Sequence, residues 1–353
     1  MRDARPDLEL SYIGGARGLE ARLVGAAGEL PYHQLLVRSL RTTRRDVHLV
    51  ADPVRLAASV PQASRLLARL RPSAIFSTGG YLALPLVTAA RLRGIPTLVW
   101  EGNVIPGRAN RALGRLATRV AVSFPPTIEA FPGRSFVSGT PVRSFAGIQR
   151  EAARGGLSLT PDDRLMLVFG GSQAVARLNT ALLGGLPRLL TDWRVLHVAG
   201  PTGAPEALAA RDQLPEPMRE RYRVEPFLTE MMAEVLVAAD LVVGRAGSST
   251  CAEVAAVGVA SILVPYPHAG GHQRANGAWL EEHGAAVVVP DEELTAERLV
   301  AEAASLRQDA HRAQLASAAK RLGLPDAAQA LASELLAMAE GQPLPSLAGG
   351  RAT

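Results

Sequence analysis

The chain has 353 residues, which is long for one domain and sufficient for two. Its hydrophobic fraction is 48% and its aromatic fraction 4%, so the core must consist mainly of Leu, Val, Ile and Ala. The net charge of +5 is unevenly divided. Residues 1–140 carry 19 arginines and nine acidic residues, a net +10, whereas 141–353 carry a net −5. Either the basic half faces an anionic lipid surface, a nucleic acid or a phosphorylated substrate, or the charges are dispersed by chance.

Several classes of protein are excluded by what the sequence lacks. Cys251 is the single cysteine, so neither a disulfide within the chain nor a cysteine-based zinc site is expected, as in a reducing cytoplasm. The first ten residues do not have the apolar centre of a signal peptide. No stretch has the roughly 18 apolar residues of a membrane span. The sequence also lacks a GxxxxGK[ST] phosphate-binding loop, which argues against a nucleoside triphosphatase.

Short apolar runs alternate along the chain with segments of helical length. Strands are predicted within 8–15, 74–80, 96–103, 120–124, 164–172, 194–201, 241–247, 260–267 and 285–290. Helices are predicted over 58–71, 83–93, 174–190 and 251–257. This alternation predicts an α/β fold with doubly wound parallel sheets covered on both faces.

Two series of strand–helix units predict two Rossmann-like domains, at 1–140 and 141–325, that face a crevice. Pro141 lies at the predicted joint, and a helix over 326–340 and a disordered tail over 341–353 are expected to follow. Such a domain normally begins with a strand, a Gly-rich loop and a helix. The chain begins instead near "DLELSYIGG", so we expect the first such unit to be missing from the first domain.

Two segments of the second domain have the pattern of an anion site. In "VFGGSQAVARLN" (168–179), a Gly-Gly turn leads to Ser172 and Gln173 at a predicted helix start. Free N–H groups there favour a phosphate, although an ordinary strand–helix turn has the same pattern. In "GRAGSSTCAE" (244–253), Thr250 and Glu253 have the spacing of a capping box. The same spacing suits a phosphate at the helix start with Glu253 on a ribose diol.

The first domain offers a second set of candidates at its predicted strand ends. Tyr81 follows a Gly-Gly turn in "FSTGGY" (76–81), and Glu101 and Asn103 end the strand in "VWEGNVIPGRANR" (99–111). A carboxylate and an amide there suit hydrogen bonding to hydroxyl groups or proton transfer, or simple loop solvation. The next helix is predicted to align four arginines on one stripe, which is either a solvated face or a surface for anionic lipid: Arg108, Arg111, Arg115 and Arg119.

The segment "VPYPHAGGHQRANGAWLEEHG" (264–284) places amides at a further helix start. Gln273 is a candidate for binding sugar hydroxyls. His268 and His272 are four residues apart, but Gly270-Gly271 separates them, so no metal site is expected.

Eight motifs follow one another along the chain: "GGARGLEARLV", "GGY", "EGNVIPGRANR", "VAVSFP", "GTPVR", "FGGSQ", "RAGSSTCAE" and "PYPHAGGHQRAN". In this order they resemble the MurG-type UDP-N-acetylglucosamine transferases of peptidoglycan synthesis, from about Tyr12 to about Ala337. The resemblance implies a GT-B fold. It also implies transfer of GlcNAc from UDP-GlcNAc, with inversion, to the MurNAc C4 hydroxyl of undecaprenyl-diphosphate-linked MurNAc-pentapeptide. The expected location is peripheral, on the cytoplasmic side of the cell inner membrane, in a pathway for cell shape and division.

The resemblance also implies roles for individual residues. Arg143 and Ser172 would serve the donor diphosphate and its surroundings, and the Leu228 backbone would meet uracil. Glu253 would bind the ribose, and Gln273, with Asn103, the GlcNAc hydroxyls. A helix start would receive the diphosphate, at Ser248, Ser249 and Thr250. Tyr81, Arg108, Arg111 and Arg115 would face the acceptor or an anionic membrane surface. Neither a metal, another cofactor nor a nucleic-acid partner is implied.

Departures from the family pattern fall on the acceptor side. A "GGTGGH" loop, which supplies a candidate base His, is absent, "HEQN" is replaced by "WEGN", and the loop after "GGY" reads "LALP". Glu101 is then the only candidate base. A start codon assigned downstream of the true one and a truncated, inactive UDP-sugar-binding copy are two explanations. A UDP-GlcNAc 2-epimerase is the other alternative, which the arginine stripe disfavours.

Overall fold

In the computed structural model, the described residues are 5–15, 30–35, 48–170, 176–267, 270–344 and 347, with only the backbone described over 48–58. The chain divides into two compact units. The first unit comprises Met1–Gly102, Pro106–Ser138 and Ala328–Thr353, and the second comprises Asn103–Ile105 and Gly139–Ala327. Among the described residues, no helix combines the length and the apolar character needed to cross a membrane.

In its described residues, the first unit contains two parallel sheets. A two-stranded sheet pairs β1 (Tyr12–Gly15) with β2 (Tyr32–Leu35). A four-stranded sheet follows the order β3 (Ile75–Ser77), β4 (Thr97–Glu101), β5 (Arg119–Val122), β6 (Ser135–Val137). The helices are α1 (His48–Leu70), α2 (Ala83–Leu92) and α3 (Arg108–Leu116), with a 3-10 turn at Pro125–Ala130.

Both faces of the four-stranded sheet are covered by helices. Neighbouring residues of a strand point to opposite faces, so each strand contributes side chains to both contacts. On one face, Val99 and Val120 pack against Val87 of α2 and Leu113 of α3. On the other face, Leu98 and Ala121 pack against three side chains of the C-terminal helix α13 (Ala327–Ala339), namely Leu331, Leu335 and Met338.

The second unit is built on one six-stranded parallel sheet of order β12-β11-β10-β7-β8-β9. Its strands are β7 (Leu165–Phe169), β8 (Arg194–Val198), β9 (Tyr222–Glu225), β10 (Leu241–Gly244), β11 (Ala260–Leu263) and β12 (Val287–Val288). Numbered within the unit, this is the 3-2-1-4-5-6 order of the Rossmann fold. A core of Leu, Val and Ala, with buried Trp193 and Tyr222, lies between the sheet and its helices.

One helix of the second unit precedes its first strand, and the other helices lie between or after the strands. They are α4 (Arg150–Gly156), α5 (Ala176–Leu189), α6 (Gly200–Asp212), α7 (Glu216–Arg219), α8 (Met232–Ala238), α9 (Ser248–Val257), α10 (His272–Glu282), α11 (Ala296–Ser305) and α12 (Asp309–Leu322), with a 3-10 turn at Asp291–Glu293. The predicted α/β class with parallel sheets is confirmed in both units. Most of the predicted disordered tail lies outside the described residues.

Candidate active site

The centre of the six-stranded sheet is a topological switch point. β7 and β10 are neighbours there, and the chain proceeds from β7 to β8 on one side and from β10 to β11 on the other. Ligands of such sheets bind at the carboxyl ends of the strands at this point. The loop after β7 contains the predicted Ser172 and Gln173, which lie outside the described residues. The loop after β10, Arg245–Gly247, leads directly into α9.

Helix α9 starts at Ser248, after Gly247 in an extended conformation. Gly247 has no side chain with which to cap the helix, and the first intrahelical bond of this turn is that from Cys251 N–H to the Gly247 carbonyl. Of the two interpretations of the Thr250–Glu253 spacing, the capping box is therefore wrong, because Gly247 is the N-cap and Thr250 lies inside the first turn. The N–H groups of Ser248, Ser249 and Thr250 precede that bond, so they can receive an anion. Ser249 is exposed, and its two neighbours are half-buried.

Glu253 lies on the same helix and is 7% exposed. Its Oε1 accepts a hydrogen bond from Arg143 Nε over 2.7 Å, and the two side chains form an ion pair through this contact. Arg143 Nη1 donates to the carbonyl oxygen of Thr229 over 3.4 Å. Thr229 follows Leu228, the half-buried residue predicted to meet a base. The structure therefore brings together Glu253, Arg143 and the backbone next to Leu228.

Gln273 lies in the first turn of α10, where its Oε1 accepts the N–H of Tyr266 over 2.9 Å. This bond orients the side chain and directs its donor group, the amide NH₂, to other partners. Asn276, one turn later, is completely buried. Its Nδ2 donates to Asn103 Oδ1 over 3.1 Å, and its Oδ1 accepts Val104 N–H over 3.0 Å. Asn103 is thus placed beside α10 within the second unit, as is Ile105, whose carbonyl oxygen contacts His272 Nδ1.

Asn276 and Arg245 are functional candidates that sequence reasoning missed. Asn276 Nδ2 also bonds the Ala246 carbonyl oxygen over 3.2 Å, in the loop before α9. Arg245 is 5% exposed and forms a buried ion pair with Asp291. Asp291 also pairs with Arg177 of α5 over 3.2 Å. These contacts fix the loop that places the start of α9. The sequence signals were weak: Arg245 directly follows an apolar strand, and Asn276 is one more polar residue near a predicted helix start, which does not reveal their partners.

In the first unit, the Gly-Gly-Tyr turn lies at the carboxyl end of β3. Asn110 of α3 binds it, since its Oδ1 accepts the Gly80 N–H over 3.0 Å while its Nδ2 donates to the Trp100 carbonyl oxygen over 3.3 Å. Gly79 has a φ of +88°, and a Cβ there would lie 2.0 Å from Asn110 Oδ1. Glycine is therefore required at this position. Tyr81 follows the turn and is half-buried.

Glu101 is the last residue of β4 and is 1% exposed. Its Oε2 accepts the N–H of Gly107, the residue that precedes α3, over 3.1 Å. The carboxylate therefore anchors the loop between β4 and α3.

The predicted stripe of four arginines is wrong in one member. Helix α3 ends at Leu116, and Ala117 is already extended. Arg108, Arg111 and Arg115 are exposed, as predicted. Arg119 instead begins β5, where it is buried and pairs with Glu334 over 3.2 Å. The sequence has no glycine or proline between Arg115 and Arg119 to indicate the end of the helix.

Comparisons with known proteins cover both units. The glycosyltransferase family 28 N-terminal domain matches residues 4–122, and the family's C-terminal domain matches residues 165–331. A UDP-N-acetylglucosamine--N-acetylmuramyl-(pentapeptide) pyrophosphoryl-undecaprenol N-acetylglucosamine transferase of Desulforudis audaxviator is 39% identical, over 91% of this chain and 88% of that protein. A relative with the same name in Moorella thermoacetica is 36% identical, over 96% and 93%.

Solved structures agree with the sequence relatives. MurG of Acinetobacter baumannii superposes with a TM-score of 0.74 at 27% identity, covering 94% of this chain and 92% of that one. A UDP-N-acetylglucosamine 2-epimerase of Listeria monocytogenes, described as putative, gives a TM-score of 0.61 at 15% identity and shares the fold alone. With relatives that match nearly its whole length, the chain belongs to the MurG family of glycosyltransferases and has that family's GT-B fold.

Proposed function

We propose that this chain transfers GlcNAc from UDP-GlcNAc to the C4 hydroxyl of MurNAc in undecaprenyl-diphosphate-MurNAc-pentapeptide, as the names of its relatives describe. The observation that carries this proposal is the start of α9 at the switch point, with the buried carboxylate of Glu253 on the same helix. The N–H groups from Ser248 to Thr250 would hold the diphosphate, and Glu253 would bind the ribose. Gln273, assisted by Asn103, would bind the GlcNAc hydroxyls, and Ser172 and Gln173 would complete the phosphate loop.

In the proposed reaction, the acceptor oxygen attacks the anomeric carbon from the face opposite UDP. The bond from that carbon to the diphosphate oxygen breaks, UDP leaves with the electron pair, and the configuration is inverted. Negative charge therefore grows on the diphosphate. The N-terminus of α9, equivalent to roughly half a positive charge, would stabilise it without a metal ion.

A base must accept the proton of the acceptor hydroxyl. Glu101 stays the predicted base. Because its carboxylate is buried and binds the Gly107 N–H, proton transfer through it would require that bond to open. The acceptor would bind the first unit near Tyr81. Arg108, Arg111 and Arg115 would hold this unit on the anionic cytoplasmic surface of the inner membrane.

The direct test of the function is an assay with UDP-GlcNAc labelled in the sugar and an analogue of the acceptor, undecaprenyl-diphosphate-MurNAc-pentapeptide. Transfer of label to the lipid with release of UDP is the expected result. Incubation with UDP-GlcNAc alone is the control for epimerase chemistry, because an epimerase would form UDP-ManNAc without an acceptor. Binding of UDP with no transfer would identify a non-catalytic UDP-sugar-binding protein and contradict the proposal.

The ribose assignment predicts a large effect of Glu253→Gln on nucleotide binding. A hydrogen bond to a charged group contributes about 1.5–3 kcal/mol, so we expect UDP affinity to fall about 10- to 100-fold. Isothermal calorimetry with UDP measures this, and Glu225→Gln, at a carboxylate on β9, is a matched control. Unchanged UDP affinity in Glu253→Gln would contradict the ribose role.

A further inference from the structure

One arginine connects two parts of the proposed nucleoside site. Arg143 Nε binds Glu253 Oε1 over 2.7 Å, and Arg143 Nη1 reaches the carbonyl oxygen of Thr229 over 3.4 Å. Thr229 directly follows Leu228. The same guanidinium therefore contacts the carboxylate proposed for ribose and the backbone beside the residue proposed for uracil.

These contacts lie at the nucleoside end of the site. Glu253 is five residues beyond Ser248, which corresponds to roughly 7.5 Å along the axis of an α-helix. An Arg143 side chain that binds Glu253 is therefore engaged away from the helix start where the diphosphate would lie. The resemblance to the family had instead suggested Arg143 for the diphosphate and its surroundings.

The ion pair leaves the carboxylate with one oxygen to offer. Oε1 is occupied by Arg143, whereas Oε2 has no hydrogen-bond partner among the residues that the structure describes. The Glu253 side chain is 9% exposed and that of Arg143 is 39% exposed, so solvent reaches the ion pair mainly from the arginine side. A carboxylate fixed in one orientation before the ligand arrives loses less entropy when it binds.

We propose that Arg143 is a positioning residue for nucleoside specificity, which holds Glu253 so that Oε2 receives the 2′ and 3′ hydroxyls of ribose. Through this contact the site distinguishes ribose from 2′-deoxyribose, because a buried carboxylate rejects an analogue that lacks its hydroxyl partner. The inference rests on the proposed function, in which Glu253 binds the ribose of UDP.

The test measures the dissociation constants of UDP and 2′-deoxy-UDP by calorimetry for the unmodified chain, Arg143→Ala, Glu253→Ala and the double variant. The unmodified chain should prefer UDP by about tenfold or more, the value of one charge-assisted hydrogen bond. Arg143→Ala should lose most of this preference. In the Glu253→Ala background, Arg143→Ala should have little further effect on UDP affinity, because the two residues act through one contact.

Two further variants complete the experiment. Arg223→Ala removes an arginine whose Nη2 lies 2.7 Å from Glu225 Oε1, so it is a matched control that should keep the preference for UDP. Arg143→Lys should recover part of the preference, since an ammonium group retains the charge but does not span both acceptors as a guanidinium does. If Arg143→Ala does not fold, the affinities of Arg143→Lys for UDP and 2′-deoxy-UDP are compared instead.

The opposite result is equally specific. Calorimetry with uridine, which has no phosphate, provides the comparison. If Arg143→Ala or Arg143→Lys weakens the binding of UDP more than that of uridine and leaves the ratio of UDP to 2′-deoxy-UDP affinity unchanged, Arg143 binds the diphosphate. The inference then fails. Failure of the proposed function looks different. In that case the unmodified chain does not bind UDP, or Glu253→Ala leaves both the affinity and the ratio unchanged.

Discussion

His197 shows how a buried titratable group is accommodated in the second unit, which contains the proposed donor site. It is completely buried, with Nε2 2.9 Å from Asn179 Oδ1 and Nδ1 2.8 Å from the Tyr222 hydroxyl. Asn179 Nδ2 donates to the Ala199 carbonyl, which fixes the amide so that Oδ1 faces the imidazole. Nε2 therefore carries the proton, and Nδ1 accepts the O–H of Tyr222.

This arrangement predicts a loss of stability in acid. Burial lowers the pKa of His197 to about 4 from 6.5. The unfolded chain thus binds the proton more readily, so the contribution of neutral His197 is fully present above about pH 6.5. It decreases as the pH falls towards 4, by about 3 kcal/mol in total. Urea unfolding between pH 7 and 4 should show the decrease. His197→Gln, which has no titratable group, should remove this part of the slope, and an unchanged slope would contradict the prediction.

For the proposed donor site, the sequence shows the residue types of an anion site, but it does not show which residues contact one another. A small-residue turn before a helix indicates an anion site by local chemistry alone. The Arg143–Glu253 pair joins positions 110 residues apart, and the Asn276–Asn103 pair joins positions 173 apart. No local pattern encodes such contacts, because they follow from the order of strands in the sheet. The spacing that also suited a capping box is a similar case, because it did not show that the helix begins at Ser248 and has Gly247 as its N-cap.

At the scale of elements, α9 has a defined start and a defined end. Gly258, after its last residue, has a φ of +75°, and Lys320 Nζ donates to the Ala256 carbonyl oxygen over 2.5 Å. Lys320 is the only lysine of the chain. A cation at the carboxyl end of the helix complements its dipole, whose positive end lies at the proposed diphosphate site. Within α9, Cys251 is buried and its thiol pKa is raised to about 12 by burial, which suits a packing role.

The turn after β3 gives a prediction in which backbone strain and steric contact can be separated. Gly79 and Gly80 both have positive φ, at +88° and +85°. A Cβ on Gly79 would collide with Asn110, whereas a Cβ on Gly80 would meet no atom within 4 Å. Both alanine variants should therefore show a loss of about 1–2 kcal/mol from the left-handed conformation.

Gly79→Ala should show an additional loss of about 1–3 kcal/mol, because Asn110 must move and its bonds to Gly80 and Trp100 weaken. Denaturant unfolding of the two variants measures the difference directly. Equal losses for Gly79→Ala and Gly80→Ala would show that Asn110 does not restrict the turn.

At the scale of the whole molecule, the class of fold could be predicted from the sequence more completely than the individual strands. Continuous apolar strands separated by helices indicated parallel sheets, because only strands buried on both faces are apolar throughout. Of the strands in the part of the chain that the structure describes, β2, β6 and β9 were missed. Two of them, "YHQL" and "YRVE", contain polar residues, and the third, "SFV", has only three residues. Such strands are specified by their neighbours in the sheet and not by their own composition.

The uneven charge gives the last prediction. Residues 1–140 have a net charge of +10, and three of their arginines, Arg108, Arg111 and Arg115, are exposed on α3. Each arginine near an anionic membrane contributes about 1 kcal/mol of binding free energy. Replacing all three by alanine should therefore reduce binding to vesicles containing phosphatidylglycerol on the order of 100-fold.

A second triple variant controls for charge alone. Arg223, Arg274 and Arg307 are partly exposed arginines of the second unit, with side-chain exposures of 49%, 72% and 57%. Their replacement by alanine removes the same net charge, so the two variants differ only in where the charge was lost. If α3 contacts the membrane, vesicle co-sedimentation should fall only for the α3 variant, and salt should weaken binding of the unmodified chain because exposed charges are screened. Equal reductions in the two variants would mean that net charge, and not the surface of α3, governs the association.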